Sequence, residues 1–202
     1  MADRSARRDL AQSLAQGVAD HLAEVASRLP QAQLVLQVDE PSLAAVLAGA
    51  VPTEGGYFRH RSVDPVEVIE ALQPLARLVE RSVLHCCADR FDPALAARAS
   101  FGAVALDQAL IRDRDALGVL IEGGTGLYLG CLPAAAPEMW SPDAVAERAV
   151  GLLRPLELGD VLTDRLTLTP SCGLADWSPS GAASAYRTLG RACGIVAEQL
   201  HQ

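Results

Sequence analysis

The sequence has few aromatic residues and no long apolar run. Only 4% of the 202 residues are Phe, Trp or Tyr although half are hydrophobic, so the core must be built mainly from Ala, Leu and Val. Apolar runs such as 94–97 and 103–106 are far shorter than the ~20 residues of a membrane helix. Residues 1–20 lack the apolar centre of a secretory signal. The sequence therefore predicts a globular, cytoplasmic protein that does not span a membrane.

Basic residues are fewer than acidic ones. The chain has 17 Lys and Arg against 25 Asp and Glu, a formal charge of −8 at pH 7. This charge repels phosphate backbones and anionic lipids, so nucleic acid is not an expected partner. Five cysteines without an export signal indicate reduced thiols available for metal binding or catalysis. The length fits a single domain over residues 1–202, with a leading helix within 1–30.

Helical and strand-like patterns alternate along the chain. Strands are predicted at 34–38, 82–85, 103–106, 127–131 and 165–168. Helices are predicted at 9–29, 66–81, 93–99, 113–122, 142–153 and 181–200. This alternation favours an α/β fold in which about five βα units form one parallel sheet in sequential order. Because a complete (β/α)8 TIM-type barrel needs eight strands and ~250 residues, we expect a partial barrel. It would be a fragment of a longer protein, an open five-stranded sheet with helices around it, or a chain that self-associates or pairs with a separate N-terminal half.

Polar and sulfur-containing side chains recur where the predicted strands end. They are Asp39, His85, Cys87, Asp107, Cys131 and Cys172. In a β/α barrel the carboxyl ends of the strands form the face on which active sites are built. The positions of these residues therefore predict a site at that edge of the sheet.

The residue types at these positions are those that bind zinc. The side chains of His85 and Cys87 point to the same side of an extended segment, Cys172 would add a second thiolate, and Asp107 would add an oxygen. Taken singly, a cysteine in an apolar strand is more often a small hydrophobic residue than a ligand. Their joint placement at strand ends favours a zinc site in which the ligating atoms of His85, Cys87 and Cys172 lie within about 4 Å of one another, with Asp107 close by. Cys86, which should point away from His85 and Cys87, and Cys193, which lies mid-helix, are expected to be core residues.

Four ordered segments resemble cobalamin-independent methionine synthases. Residues 36–43, Leu-Gln-Val-Asp-Glu-Pro-Ser-Leu, resemble the family's Q-x-D-E-P-A-L segment, and 85–87 resemble its H-x-C zinc ligands. Residues 126–133, with Pro137 and Trp140 after them, resemble its G-V-Y-D-I-H-S-P loop and the residues beyond that loop. Residues 170–174, Pro-Ser-Cys-Gly-Leu, resemble its P-D-C-G-L segment. The resemblance extends from about residue 34 to the C-terminus.

The resemblance implies a function and roles for individual residues. It implies a methyltransferase of methionine biosynthesis that uses Zn²⁺, held by His85, Cys87 and Cys172. A methyl group would pass from methyltetrahydrofolate to a zinc-activated thiol such as homocysteine, whose amino group Asp39 would contact. The implied partners are therefore a small-molecule thiol and a folate-type substrate.

The chain departs from the family pattern at two site positions. Asp107 is the best match to the zinc-ligating glutamate and is shorter by one carbon–carbon bond, ~1.5 Å. Cys131 occupies the position of the catalytic histidine in the Y-D-I-H-S-P loop. Two alternatives therefore stay open: a divergent barrel that uses another methyl donor or thiol, and a non-catalytic metal-binding remnant.

Overall fold

A computed structural model of the protein describes residues 3–135 and 140–200. The strands are β1 (Val35–Asp39), β2 (Arg81–Cys86), β3 (Ala103–Asp107), β4 (Gly126–Leu132) and β5 (Leu166–Pro170). The helices are α1 (Arg4–Arg28), α2 (Leu43–Leu47), α3 (Pro65–Ala76), α4 (Ala94–Arg98), α5 (Arg114–Glu122), α6 (Pro142–Leu153), α7 (Asp160–Thr163) and α8 (Pro179–Leu200). Two 3-10 turns cover Gln108–Leu110 and Arg154–Leu156.

The five strands form one parallel sheet in the order β1-β2-β3-β4-β5. Val35 pairs with Arg81 at the start of the β1–β2 ladder, and Leu127 pairs with Leu166 at the start of the β4–β5 ladder. The predicted α/β fold with sequential parallel strands is confirmed. Five strands alternating with helices are also consistent with the predicted partial barrel.

The contacts of the chain divide it into two compact units, residues 1–103 and 104–202. In the first unit, α3 buries Val68, Leu72 and Leu75. In the second unit, α6 and α8 pack together, and β4 buries Leu127 and Leu129. Most of these buried side chains are aliphatic, as the shortage of aromatic residues requires. The expectations of a single domain and of self-association stay predictions.

Several helix boundaries differ from those predicted by periodicity. α1 begins at Arg4, five residues early, because the carboxylate of Asp3 accepts hydrogen bonds from the backbone N–H groups of Ser5 and Ala6. α3 ends at Ala76, and Arg81, predicted as helical, begins β2. α2 and α7, of five and four residues, were not predicted.

The leading helix exposes part of its apolar face. The side chains of Leu10 and Leu14 are 59% and 56% exposed, whereas Ala15 is buried. Its apolar spacing therefore predicted the helix correctly but not burial of the whole face. No helix in the described part of the chain combines the length and apolarity that crossing a membrane requires.

Candidate metal centre

His85, in strand β2, and Cys87, the first residue after that strand, flank Cys86 in the sequence. Ser82, Val83 and Leu84 are buried, Cys86 is only 2% exposed, and the flanking His85 and Cys87 are half-buried. Burial raises the pKa of the Cys86 thiol, which keeps that sulfur protonated and suited to the core. The prediction that Cys86 is a core residue is confirmed, and the alternation leaves an imidazole and a thiol at the strand end.

Strand pairing places Asp39 beside His85. The two residues are partners in the β1–β2 register, and the backbone N–H of Glu40 donates to the carbonyl of His85 at 2.9 Å. Register partners in neighbouring strands present their side chains on the same face, about 5 Å apart. Gln37, two residues earlier on that face, donates from Nε2 to Oδ1 of Asp39 at 2.7 Å. This bond orients the exposed carboxylate, a role for Gln37 that the alternate spacing in Gln37-Val38-Asp39 could have indicated.

Gly130 allows the chain to pass close to β4 where that strand ends. A Cβ atom on Gly130 would lie 2.6 Å from Cα of Ser171 and 2.9 Å from the carbonyl oxygen of Leu106. Both distances are shorter than real Cβ contacts, so glycine is required here. The β4–β5 register shifts at the next residue, because Gly130 pairs with Thr169 and Leu132 with Pro170. A glycine inside a predicted strand is the sequence signal that could have indicated such an approach.

Hydrogen bonds before and after Cys172 in the sequence fix the segment that carries it. The backbone N–H of Ser171 donates to the carbonyl of Leu132 at 2.8 Å, and its buried hydroxyl accepts from the N–H of Ala134 at 3.0 Å. Nε1 of Trp177 donates to the carbonyl of Ala134 at 2.8 Å. The thiol of Cys172 itself is exposed. The backbone is therefore held while the sulfur stays accessible to a ligand.

His85, Cys87 and Cys172 form a candidate metal-binding group. Each offers one ligand atom, and these atoms lie within 4.8 Å of one another. The grouping is looser than the expected 4 Å and wider than the ~3.3 to 3.8 Å that zinc bond lengths imply between ligands. Two thiols and one imidazole are nevertheless the donor set that zinc prefers, and side-chain movements of about 1 Å would complete the geometry.

Asp107 does not belong to this group. Its carboxylate oxygen Oδ1 accepts a hydrogen bond from the N–H of Ala109 at 2.8 Å and so caps the 3-10 turn Gln108–Leu110. The Asp107 side chain therefore already has a structural role as the cap of this turn. Its role as a fourth ligand stays a prediction.

Cys131 is buried in the second unit. Its side chain is fully buried, and burial raises the pKa of its thiol to about 12. Nε of Arg148 donates to the Cys131 carbonyl at 3.2 Å, and the guanidinium lies 5.2 Å from the ring centre of Trp140. A thiol with such a pKa is protonated near neutral pH and is not a general base. Cys193, expected in the core, is exposed on α8, so that expectation is wrong.

The family is decided by comparison over nearly the whole chain. The profile of the family described as "Cobalamin-independent synthase, Catalytic domain" matches residues 1–193. The chain belongs to this family. The match confirms the resemblance to this family, covers all four motif segments, and also includes α1, which the motifs did not reach. Pro137, part of that resemblance, lies outside the described residues. Among proteins with curated functions, none matches the chain.

A solved structure shares the fold of this family member. It is a B12-independent methionine synthase from Shewanella sp. W3-18-1 in complex with selenomethionine, with a TM-score of 0.59 and 15% sequence identity. The match covers 82% of this chain and 49% of the other. The chain therefore spans about half the length of this structural relative.

Replacing Gly130 with Ala is expected to destabilise the fold by about 1–3 kcal/mol, because the added methyl group overpacks the crossing with Ser171 and Leu106. Gly151 in α6 is the matched control, since a Cβ there meets nothing within 4 Å. Gly151→Ala should raise stability by roughly 0.5–1 kcal/mol through helix propensity. Urea unfolding of the two variants measures both effects, and equal stabilities would contradict the close approach.

Raising the pH above 9 is expected to destabilise the fold through Cys131. Its pKa is about 12 in the fold against 9.0 ordinarily, so the folded state binds more protons than the unfolded state between these values. Stability from this thiol is complete below pH 9 and falls above it by up to about 1.4 kcal/mol per pH unit. Urea unfolding from pH 7 to 10.5 should show a steeper loss than in Cys131→Ser, which has no thiol to ionise there. Parallel curves would exclude this contribution.

Proposed function

We propose that this member of the family is a zinc-dependent methyltransferase. It would transfer a methyl group from methyltetrahydrofolate to a zinc-activated thiol such as homocysteine. The grouping of His85, Cys87 and Cys172 carries the proposal, because each of the three candidate ligands is one that the family resemblance implies. Cys87 and Cys172 are also the accessible thiols at the strand ends, and ligation requires them as thiolates.

The chain's own residues would divide the work between metal binding and substrate binding. His85, Cys87 and Cys172 would hold the ion, and Asp39, the register partner of His85, would bind the ammonium group of the substrate amino acid. Gln37 would keep that carboxylate oriented through its 2.7 Å hydrogen bond. Zinc held by His85, Cys87 and Cys172 would lower the pKa of a substrate thiol that binds to it.

Two further residues receive restricted roles in this proposal. Asp107 lies outside the three-residue group, so it would serve as a fourth ligand only if its carboxylate, whose Oδ1 accepts from the N–H of Ala109, moved toward the ion. Cys131 occupies the position of the family histidine, but its buried, protonated thiol supports no proton-transfer role. Because the site depends on reduced cysteines, we propose that the protein works in a reducing compartment such as the cytoplasm.

A second candidate function is metal binding without methyl transfer. The observation that favours it is the burial of Cys131, which leaves the position of the catalytic histidine without an ionisable group near neutral pH. The two candidates share the zinc site and differ in turnover. A third, a divergent barrel with another methyl donor or thiol, keeps the same ligands and would bind zinc alike.

Adding zinc to the reduced chain is expected to raise its melting temperature and to release up to two protons, because both cysteines must bind as thiolates. At a free zinc concentration 100 times the Kd the stabilisation is about 2.7 kcal/mol. Cys172→Ser should abolish it, whereas Cys193→Ser, which removes another exposed thiol, should not. Calorimetry and thermal melting measure both effects. If the two variants bind zinc alike, the proposed metal site is wrong.

The zinc-loaded chain is expected to form methionine from homocysteine and methyltetrahydrofolate, measured by product detection with substrates in excess over enzyme. Asp39→Asn should raise KM for homocysteine by about tenfold through loss of a charged contact, and zinc affinity should stay unchanged. Gln37→Ala should give a smaller increase, since it removes only the orienting bond. Zinc binding without any product from this pair would support either the non-catalytic candidate or the divergent one, and trials of other thiols and donors would separate them.

A further inference from the structure

The first unit contains a cavity of about 550 Å³ with a cationic wall. Arg59, His60 and Arg61 are among the residues that line it, together with Gly49 and Val51. None of the described residues that line it carries a carboxylate. In a chain with a formal charge of −8, such a concentration of cationic side chains requires a reason beyond composition.

The cavity wall is built by a hairpin-like loop between α2 and α3. The N–H of His60 donates to the carbonyl of Val51 at 2.9 Å, and Pro52 and Arg59 form an antiparallel bridge. Gly49 adopts a positive φ of 63°, and a Cβ there would lie 2.9 Å from the backbone nitrogen of Ser62. This close approach brings the segment that contains Arg59 and Arg61 against the turn after α2. Backbone contacts therefore hold these two arginines in place.

An adjoining cavity of about 780 Å³ has a different charge balance. It shares Arg7 with the first cavity and extends to Glu40, the residue after Asp39. In this larger cavity Arg7 forms an ion pair with Glu67 at 2.7 Å, so its positive charge is already balanced by a carboxylate. The smaller cavity has no such carboxylate among its described lining residues. A negatively charged ligand is therefore expected at Arg59–Arg61 and not at the paired arginine.

We infer that this smaller cavity binds the anionic group, carboxylate or phosphate, of a small organic ligand. Its volume lies within the roughly 300–1,000 Å³ of small-molecule sites. Arg59 donates one bond to the carbonyl of Ala50, which fixes its guanidinium at the wall, and that group has five N–H donors in total. Planar guanidinium groups bind carboxylate and phosphate oxygens through paired hydrogen bonds. The inference rests on this cavity and does not require the proposed zinc chemistry.

Titration of the chain without added zinc with inorganic phosphate or glutarate, monitored by amide chemical shifts, tests the site. We expect saturable shifts concentrated at 49–51 and 59–63 with one or both anions. Phosphate alone would identify a phosphoryl ligand, and glutarate alone a carboxylate ligand. Shifts that do not saturate or that scatter over the chain would overturn the inference, as would no shift with either anion.

Two variants separate the cavity from general charge. Arg61→Gln should weaken binding about tenfold through loss of a charge-assisted contact. Arg98→Gln removes an exposed cation on α4 that does not line the cavity, and it should change affinity less than about twofold. Equal weakening by both variants would overturn the inference. If Arg61→Gln does not fold, Arg61→Lys, which keeps the charge and loses the paired donors, should weaken binding by a smaller factor than tenfold.

Discussion

Hydrogen bonding between parallel strands fixes where the side chains of the candidate site lie. In the first unit, the β1–β2 register makes Asp39 and His85 neighbours. In the second unit, the β4–β5 register reaches Leu132 and Pro170, after which Ser171 and Cys172 come at once. A slip of one residue in either ladder would turn each of these side chains to the opposite face of the sheet. The chemistry of the site therefore depends on backbone pairing before it depends on the functional groups.

The five cysteines differ in how far each is buried, and this difference separates core cysteines from accessible ones. Cys86 and Cys131 are buried, and the pKa of each thiol is raised because a thiolate would lose its hydration. Cys87 is half-buried and Cys172 is exposed, so both residues are more accessible from solvent than the two buried cysteines. Metal ligation needs thiolates. Accessibility is thus consistent with Cys87 and Cys172 as the proposed ligands, and the exposed Cys193 differs from them in lying within helix α8.

The features that could be predicted from the sequence are those set by local pattern. Hydrophobic spacing located all five strands to within one or two residues, and α6 was predicted at its observed bounds. The placement of His85 and Cys87 came from alternation along one strand. The exposure of Cys193 could not be predicted in this way, because helical spacing shows on which face of a helix a residue lies but not what covers that face. The close approach at Gly130 and the cationic cavity depend on segments distant in sequence, and a single sequence does not encode such distances locally.

The position of the family histidine limits what the proposed reaction can use. A methyl group that leaves a nitrogen atom leaves an electron pair there, and that nitrogen then needs a proton. The thiol of Cys131 is a poor donor near neutral pH, since its pKa is about 12 and the side chain is fully buried. Desolvation also raises the pKa of the Glu40 carboxyl above its ordinary value, and a carboxylic acid is a stronger acid than a thiol. The proton for that nitrogen therefore has to come from a group other than the cysteine that occupies the histidine's position.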